Sequence, residues 1–274
     1  MPSPTPDASA GRVARAEVAF CQDLFLAAPH ETTRRLGLRV TPFGSSVAFS
    51  ATGWRIPPTN RVLGLGIGEV VQPKTIDQVV RHYEALGLPT TISLSSAAQP
   101  ESLPRWLTER GFHVSGHTAL FAGLPEGSRP ASRAVEVRTV NRGEADLFTR
   151  TLLAAFPLPD FFHPWMMATV GRKRWRHYLA FVDGEAAGTG CLFTAGTTAY
   201  LGWAATLPAF RGRGVQRTLI AHRLHAAALL GCDLVGVDTE VDRAEEPSVS
   251  YRNQLRAGLR LVDERPEYQK LLSR

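Results

Sequence analysis

Ala204-Ala205-Thr206-Leu207-Pro208-Ala209-Phe210-Arg211-Gly212-Arg213-Gly214-Val215-Gln216 is the stretch that decides how the 274-residue chain is read. Residues 200–206 before it form an apolar run with the look of a strand, and Pro208 ends the pairing because it has no backbone N–H to donate. After it the period changes, with Ile220, Leu224, Ala227 and Ala228 on one face of a helix predicted over 214–230. Between strand and helix, glycines let the backbone turn sharply and bring its N–H groups near a ligand, the helix start favours an anion, and Arg211 and Arg213 add charge. Two readings of the loop stand: a cradle for a pyrophosphate, or a Gly-rich turn that exposes arginines. A dinucleotide-binding fold is excluded, since the spacing is not Gly-x-Gly-x-x-Gly and no strand-helix-strand unit opens the domain.

Working outward, residues 186–210 are uncharged and long enough to suggest a membrane span. Gly188, Gly190, Gly196 and Gly202 among several threonines instead predict a buried hairpin turning at 195–197. Beyond the predicted helix comes a strand over 234–241, a short helix over 248–257 closed by Gly258, and strand again from 261. The first half shows the same order. Residues 62–67 predict a strand, and Thr75 with Gln78 a capping box opening a helix that places Ile76, Val79, Val80 and Tyr83 on one face and stops at Gly87. A strand over 90–94, a short helix around Leu103, Trp106 and Leu107, and a strand over 114–121 follow. Arg110-Gly111-Phe112 and Ala257-Gly258-Leu259 are then equivalent helix exits, which points to a duplicated fold. The Pro/Gly/Ser/Arg-rich run at 123–134 divides the copies into a lobe at 1–123, a linker at 124–134 and a lobe at 135–274.

Composition narrows the class. Hydrophobic residues at 44% and charged residues at 20% describe a globular protein and exclude disorder, collagen and coiled coil for the whole chain. A net charge of +6, carried almost wholly by arginine, permits an anionic ligand without requiring nucleic acid. Cys21, Cys191 and Cys232 are too few and too dispersed for a disulfide framework or a zinc site, so no metal is expected and the thiols read as reduced core residues of a cytoplasmic protein. No basic segment followed by an apolar stretch marks the N-terminus as a signal peptide.

The loop and its flanks resemble the GNAT superfamily of N-acetyltransferases. The family signature, Arg/Gln-x-x-Gly-x-Gly/Ala between the fourth strand and third helix, corresponds to Arg211, Gly214 and Gln216, with Gln in place of the last small residue. The resemblance covers 135 onward and implies a first strand at 135–140, helices at 144–156 and 164–170, and strands at 176–182, 187–194 and 200–206. The fold class expected is α/β, with an α+β mixed sheet in a tandem GNAT-like acyl-CoA N-acyltransferase fold. The resemblance further implies that acetyl-CoA, as cosubstrate, lies in a splay between strands 200–206 and 234–241. Its pantetheine would pair near Ala205 and Thr206, and its phosphates would rest on Arg211, Gly212, Arg213, Gly214, Val215 and Gln216. Ser250, Tyr251 and Asn253 fall on what looks like the family's fourth helix, beside the thioester. Many members carry a tyrosine four residues before the closing Gly-Phe; here Gln254 holds that place.

The reaction implied is direct acetyl transfer to a primary amine in a ternary complex, which needs a base for an ammonium of pKa about 10. Asp238 and Glu240 alternate with Val235, Val237 and Val241 and so share one strand face; Glu240 is the candidate base, against a reading in which both are only solvated. Tyr251 is the candidate acid for the leaving thiolate, against a packing role. Residues 156–165, dense in aromatics and prolines, suggest a lid over the amine, with Asp160 and His163 as possible contacts. The first lobe carries Glu69 and Pro73 where the cradle would fall, and its Gly64-Leu65-Gly66-Ile67-Gly68 run reads as a close-packed strand in a degenerate, cofactor-free copy. Against a small-molecule or peptide amine acetyltransferase stand a non-catalytic acyl-CoA-binding protein or sensor and a nucleic-acid binder. The last rests only on Arg217, His222, Arg223 and His225, which read more simply as a solvated helix face, so neither nucleic acid nor membrane is expected as a partner. The identity of the amine and the oligomeric state are not encoded in any motif.

Overall fold

Val13, Ala16, Phe20 and Leu24 recur at steps of three and four residues near the N-terminus, and all four are buried. They lie on a 20-residue helix, α1 (Ala8–Ala27), which packs on strands of both halves. The computed structural model describes residues 8–125, 132, 134–156, 158–241 and 248–272. After α1 come α2 (His30–Leu36), β1 (Leu38–Phe43), β2 (Ser46–Ala51), β3 (Arg61–Leu63), α3 (Pro73–Leu86), β4 (Thr90–Ser93), α4 (Leu103–Glu109) and β5 (His113–Gly123). The second half runs β6 (Val135–Thr139), α5 (Ala145–Ala155), α6 (Phe162–Met167), β7 (Trp175–Val182), β8 (Glu185–Ala195), β9 (Thr198–Thr206), α7 (Val215–Leu229), β10 (Leu234–Glu240), α8 (Val249–Arg256) and β11 (Arg260–Lys270).

Among the described residues the strands form one mixed sheet of eleven, in the order β1-β2-β3-β4-β11-β5-β10-β9-β8-β7-β6. Each half contains a parallel pair with a helix between, β3 and β4 around α3, β9 and β10 around α7. The last strands are exchanged. β5 leaves the first half to pair antiparallel with β10, while β11 returns from the second half to pair with β4, and the two meet at the centre of the sheet. Neither half therefore completes its sheet with its own final strand. The proposed linker at 124–134 falls largely on 126–131 and 133, outside the described residues.

Side chains alternate between two cores, as the period of a strand requires. On one face Trp175, Leu179, Tyr200 and Leu234 pack with α1, α5 and α6; on the other Tyr178, Ala180, Leu201, Val235 and Val237 pack with Val215, Leu219 and Leu224 of α7. Four sequence expectations need correction. The strand expected over 62–67 stops at Leu63, because Gly64, Gly66 and Gly68 take φ of 76°, 75° and 89° and turn the chain. Helix α3 opens at Pro73 behind Gln72 without a side-chain cap, so Thr75 lies inside the first turn and forms no capping box. Ala228 is exposed. Arg223, expected on a solvated face, is buried beneath β8, where its Nη1 donates to the Cys191 carbonyl at 3.2 Å and its Nε to that of Leu219 at 3.1 Å. Burial pulls its pKa down to about 10.

Candidate active site

β9 and β10 are paired only at Thr198–Leu234, Ala199–Val235 and Tyr200–Gly236. Beyond them the strands part. A register shift in the β8–β9 pairing, between Thr189 and Cys191, marks a bulge on β9, and there Trp203 takes φ of 47°, a conformation costly for a bulky residue. The bulge is supported from both sides. Arg223 serves the Cys191 carbonyl beneath it, and the Thr189 hydroxyl donates to the Trp203 carbonyl at 3.1 Å. A cavity of about 490 Å³ fills the opening, lined by Leu201, Ala204, Val237, Thr239, Ser250 and Gln254.

A second cavity, of about 650 Å³, continues from the first, with Phe156, Ala204 and Gln216 forming walls of both. Its floor is the loop ahead of α7. Gly212 and Gly214 stand at φ of 78° and 83°, which an L side chain rarely adopts, and no side chain caps the helix at Gly214. The first-turn N–H groups of α7 have no intrahelical acceptors and carry the positive end of the helix dipole. Arg211 and Arg217 flank them, while Asn253 donates to the Gln216 side chain at 2.7 Å and so ties α8 to α7 across the cavity. Free N–H groups and guanidiniums of this kind suit an anionic ligand.

Most of the residues expected to hold that ligand converge here: Ala205, Thr206, Arg211, Gly212, Gly214, Val215, Gln216 and Asn253 line the larger cavity, and Ser250 the smaller. Arg213 does not. It turns outward to pair with Asp183 at 2.7 Å, while Arg217 lines the cavity. Tyr251 packs edge-on against Phe121, with ring centroids 4.8 Å apart, and lines neither cavity. Gln254 borders the opening instead, and its buried Oε1 has no hydrogen-bond partner among the described residues.

Asp238 and Glu240 lie on the face of β10 that looks toward α1, with Leu234 and Gly236. Glu240 is exposed. Asp238 accepts a hydrogen bond from the Tyr200 hydroxyl, and burial together with that neighbouring carboxylate raises the Tyr200 pKa well above its ordinary value. Of the expected lid, Phe161 and Phe162 stack and Phe162 stacks on Trp165, so these aromatics belong to the core; Pro157 lies outside the described residues. His163 sits 3.0 Å from Asp146. Cys191 is buried and its thiol is pushed up to about 12, so it is no nucleophile near neutral pH.

Sequence reasoning missed Trp203, whose buried indole N–H has no partner, and Arg217. A tryptophan inside an apolar strand gives no sign of a bulge, whereas Arg217 follows Gln216 directly and could have been read as part of the same helix start. Among the described residues no helix is long and apolar enough to cross a membrane, and no cluster of three or more His, Cys, Asp or Glu is placed to hold a metal ion.

Residues 147–251 match the model of the acetyltransferase (GNAT) family. Among solved structures, a GCN5-related N-acetyltransferase from Kribbella flavida is similar at 16% identity, with 96% of each chain covered and a TM-score of 0.68. A GCN5-related N-acetyltransferase from Sphaerobacter thermophilus is similar at 17% identity over 97% of this chain and 94% of that one, with a TM-score of 0.60. A tandem GNAT protein from the clavulanic acid biosynthesis pathway matches at 15% identity over 97% of both chains, with a TM-score of 0.54. No curated protein matches the chain. The cradle ahead of α7 and the parted strands beside it thus lie within the segment that matches the acetyltransferase (GNAT) family model, in a chain whose fold is similar to that of tandem GNAT proteins along its length.

Proposed function

We propose that this protein is an N-acetyltransferase that moves an acetyl group from acetyl-CoA to a primary amine by direct attack in a ternary complex. The observation that carries the reading is the continuity of two cavities, running from the α7 cradle through the β9–β10 opening to Asp238 and Glu240. Arg211, Arg217 and the first-turn N–H groups of α7 would hold the phosphates, and the unpaired edge of β9 at Ala205 and Thr206 would hold the pantetheine amides. The thioester supplies an activated acyl group. Glu240, exposed at the mouth of the opening, takes one proton from the arriving ammonium; the freed nitrogen bonds to the carbonyl carbon, the C–S bond breaks, and the second proton that the nitrogen sheds passes to the departing thiolate. The lobe at 135–274 carries this chemistry, and the lobe at 1–123 shapes the acceptor side.

A second reading, a non-catalytic acyl-CoA-binding protein, is favoured by one observation: Gln254, which cannot donate a proton in the manner of a tyrosine, borders the opening while Tyr251 packs elsewhere. Acetyl-CoA turnover measured with and without a panel of amines separates the two. Amine-dependent release of CoA supports the enzyme, whereas tight binding with no turnover on any amine supports the binding protein.

A further inference from the structure

A third cavity, of about 410 Å³, lies on the α1 face and meets the β9–β10 opening at Gly202, Trp203 and Asp238. Its volume is in the range of small-molecule pockets, about 300–1,000 Å³. The two halves build it jointly: Leu24, Phe25 and Trp54 come from the first, Phe162, Trp165 and Trp203 from the second. The charged groups in its wall are Glu17, Arg61 and Asp238.

Those groups form a charge cluster that is out of balance. Glu17 of α1 is buried against Arg265, with Oε2 to Nη1 at 2.5 Å, and Arg61 Nη2 stands 3.6 Å from the other oxygen of Glu17. Arg61 also donates to Ser93 at 2.7 Å, and Ser93 in turn to Glu267 at 2.9 Å. Among the described residues the Tyr200 hydroxyl is the hydrogen-bond partner of Asp238. Of the charged side chains in the pocket wall Glu17 and Asp238 are anionic and Arg61 cationic, and with Arg265 and Glu267 behind them the carboxylates still exceed the guanidiniums by one; Glu240, exposed, lies outside this wall. Asp238 is half-buried, and a single ammonium group arriving there would offset the excess.

From the aromatic wall and the single excess carboxylate we infer that the acceptor, on the reading given under Proposed function, is a monoamine on an aromatic or bulky apolar body, the body filling this pocket and the ammonium meeting Asp238. The excess of one charge argues against polyamines and aminoglycosides, whose several ammonium groups would each need a carboxylate.

The test is direct binding to the full chain, measured by calorimetry and by the fluorescence of the pocket tryptophans. 2-Phenylethylamine should bind at least about tenfold more tightly than propylamine, which has the same ammonium and almost no body, and more tightly than spermidine. Filling the pocket with Cys21→Phe should weaken that binding by about tenfold or more while leaving acetyl-CoA affinity intact; Ile56→Arg, at the 37% exposed rim, serves the same purpose where the buried change impairs folding. Equal affinity for propylamine, preference for spermidine, or indifference to both variants would overturn the inference. Acetyl-CoA titrated into the same samples keeps the two ideas apart. Loss of acetyl-CoA binding with 2-phenylethylamine still bound sinks the transferase and leaves the pocket assignment, whereas acetyl transfer to spermidine in preference to 2-phenylethylamine does the reverse.

Discussion

The loop after β3 and the loop after β9 hold the same place in a repeated order, each joining the first strand of a parallel pair to the helix that follows. One is open and the other is filled with protein. After β9, a Cβ built on Gly212 would meet nothing within 4 Å among the described residues, and one on Gly214 would meet the Ser132 side chain at 3.3 Å. After β3, a Cβ on Gly66 would fall 2.7 Å from the backbone nitrogen of Gln99 and 2.8 Å from its oxygen. Gln99 hydrogen-bonds both ways across that loop, donating to Gly66 and accepting from Val71, while Leu65, Ile67 and Val71 are buried in the adjoining core. Glu69 accepts from the Ser45 N–H at 2.7 Å, and Pro73 occupies the start of α3. The same glycines that leave backbone bare for a ligand in one copy leave it bare for the chain's own backbone in the other. The difference teaches that a glycine-rich strand-to-helix loop states only that something approaches closely.

The largest expected effect concerns the chemistry that one copy has and the other lacks. Glu240→Gln should lower the acetyl-transfer rate by about 10²- to 10⁴-fold with acetyl-CoA affinity unchanged, while Glu69→Gln in the filled copy leaves both untouched. Steady-state kinetics with a verified acceptor decides it; a normal rate in Glu240→Gln would move the base to Asp238 or imply that the amine arrives neutral. Next, Gly212→Val should weaken acetyl-CoA binding by at least about 100-fold, or about 2.7 kcal/mol, since a β-branched residue is strained at that φ and would cover the N–H groups. The surrounding space is open, so the melting temperature should hold, and the wild-type protein should bind one acetyl-CoA per chain. A stoichiometry of two would break the comparison. Smaller, and of opposite character, is Gly66→Ala, which should cost about 1–3 kcal/mol of stability through collision with Gln99 and leave acetyl-CoA affinity unaltered in the folded fraction. Denaturant unfolding and calorimetry on the same sample report the two quantities separately. The smallest change is expected from Tyr251→Phe. With its ring packed on Phe121 and outside both cavities, loss of the hydroxyl should alter stability by no more than about 0.5 kcal/mol and turnover little, and a large drop in rate would reinstate it as the acid.

Much of the second half was legible because its signals are local. Pro208, the glycine pair and the switch of period to Ile220 and Leu224 place a strand, a loop and a helix within two residues of where they are found. Helix exits at Gly87 and Gly258 were equally plain, since both adopt a left-handed backbone that other residues avoid. The first half was less so. Helix α1 begins in a Pro/Ser/Ala-rich segment and carries a charged residue, Glu17, on its buried face, so its buried stripe gave little contrast with a polar face, and the hairpin of β1 and β2 was not anticipated. Arg223 failed for the opposite reason: an arginine in a helix reads as solvated until a bulge overhead supplies carbonyls for it.

The sequence by itself determined the repeated order of elements, the cradle ahead of α7 and the common face of Asp238 and Glu240, because each follows from backbone chemistry or periodicity within a dozen residues. Tertiary structure alone decided the exchange of β5 and β11, the outward turn of Arg213, the packing of Tyr251 and the pocket that Trp54 and Trp203 share. These depend on which surfaces meet after the chain returns from far away. Glu17 and Arg265 show the reason: 248 residues separate them, and only the placement of α1 against β11 makes two ordinary surface residue types a buried pair.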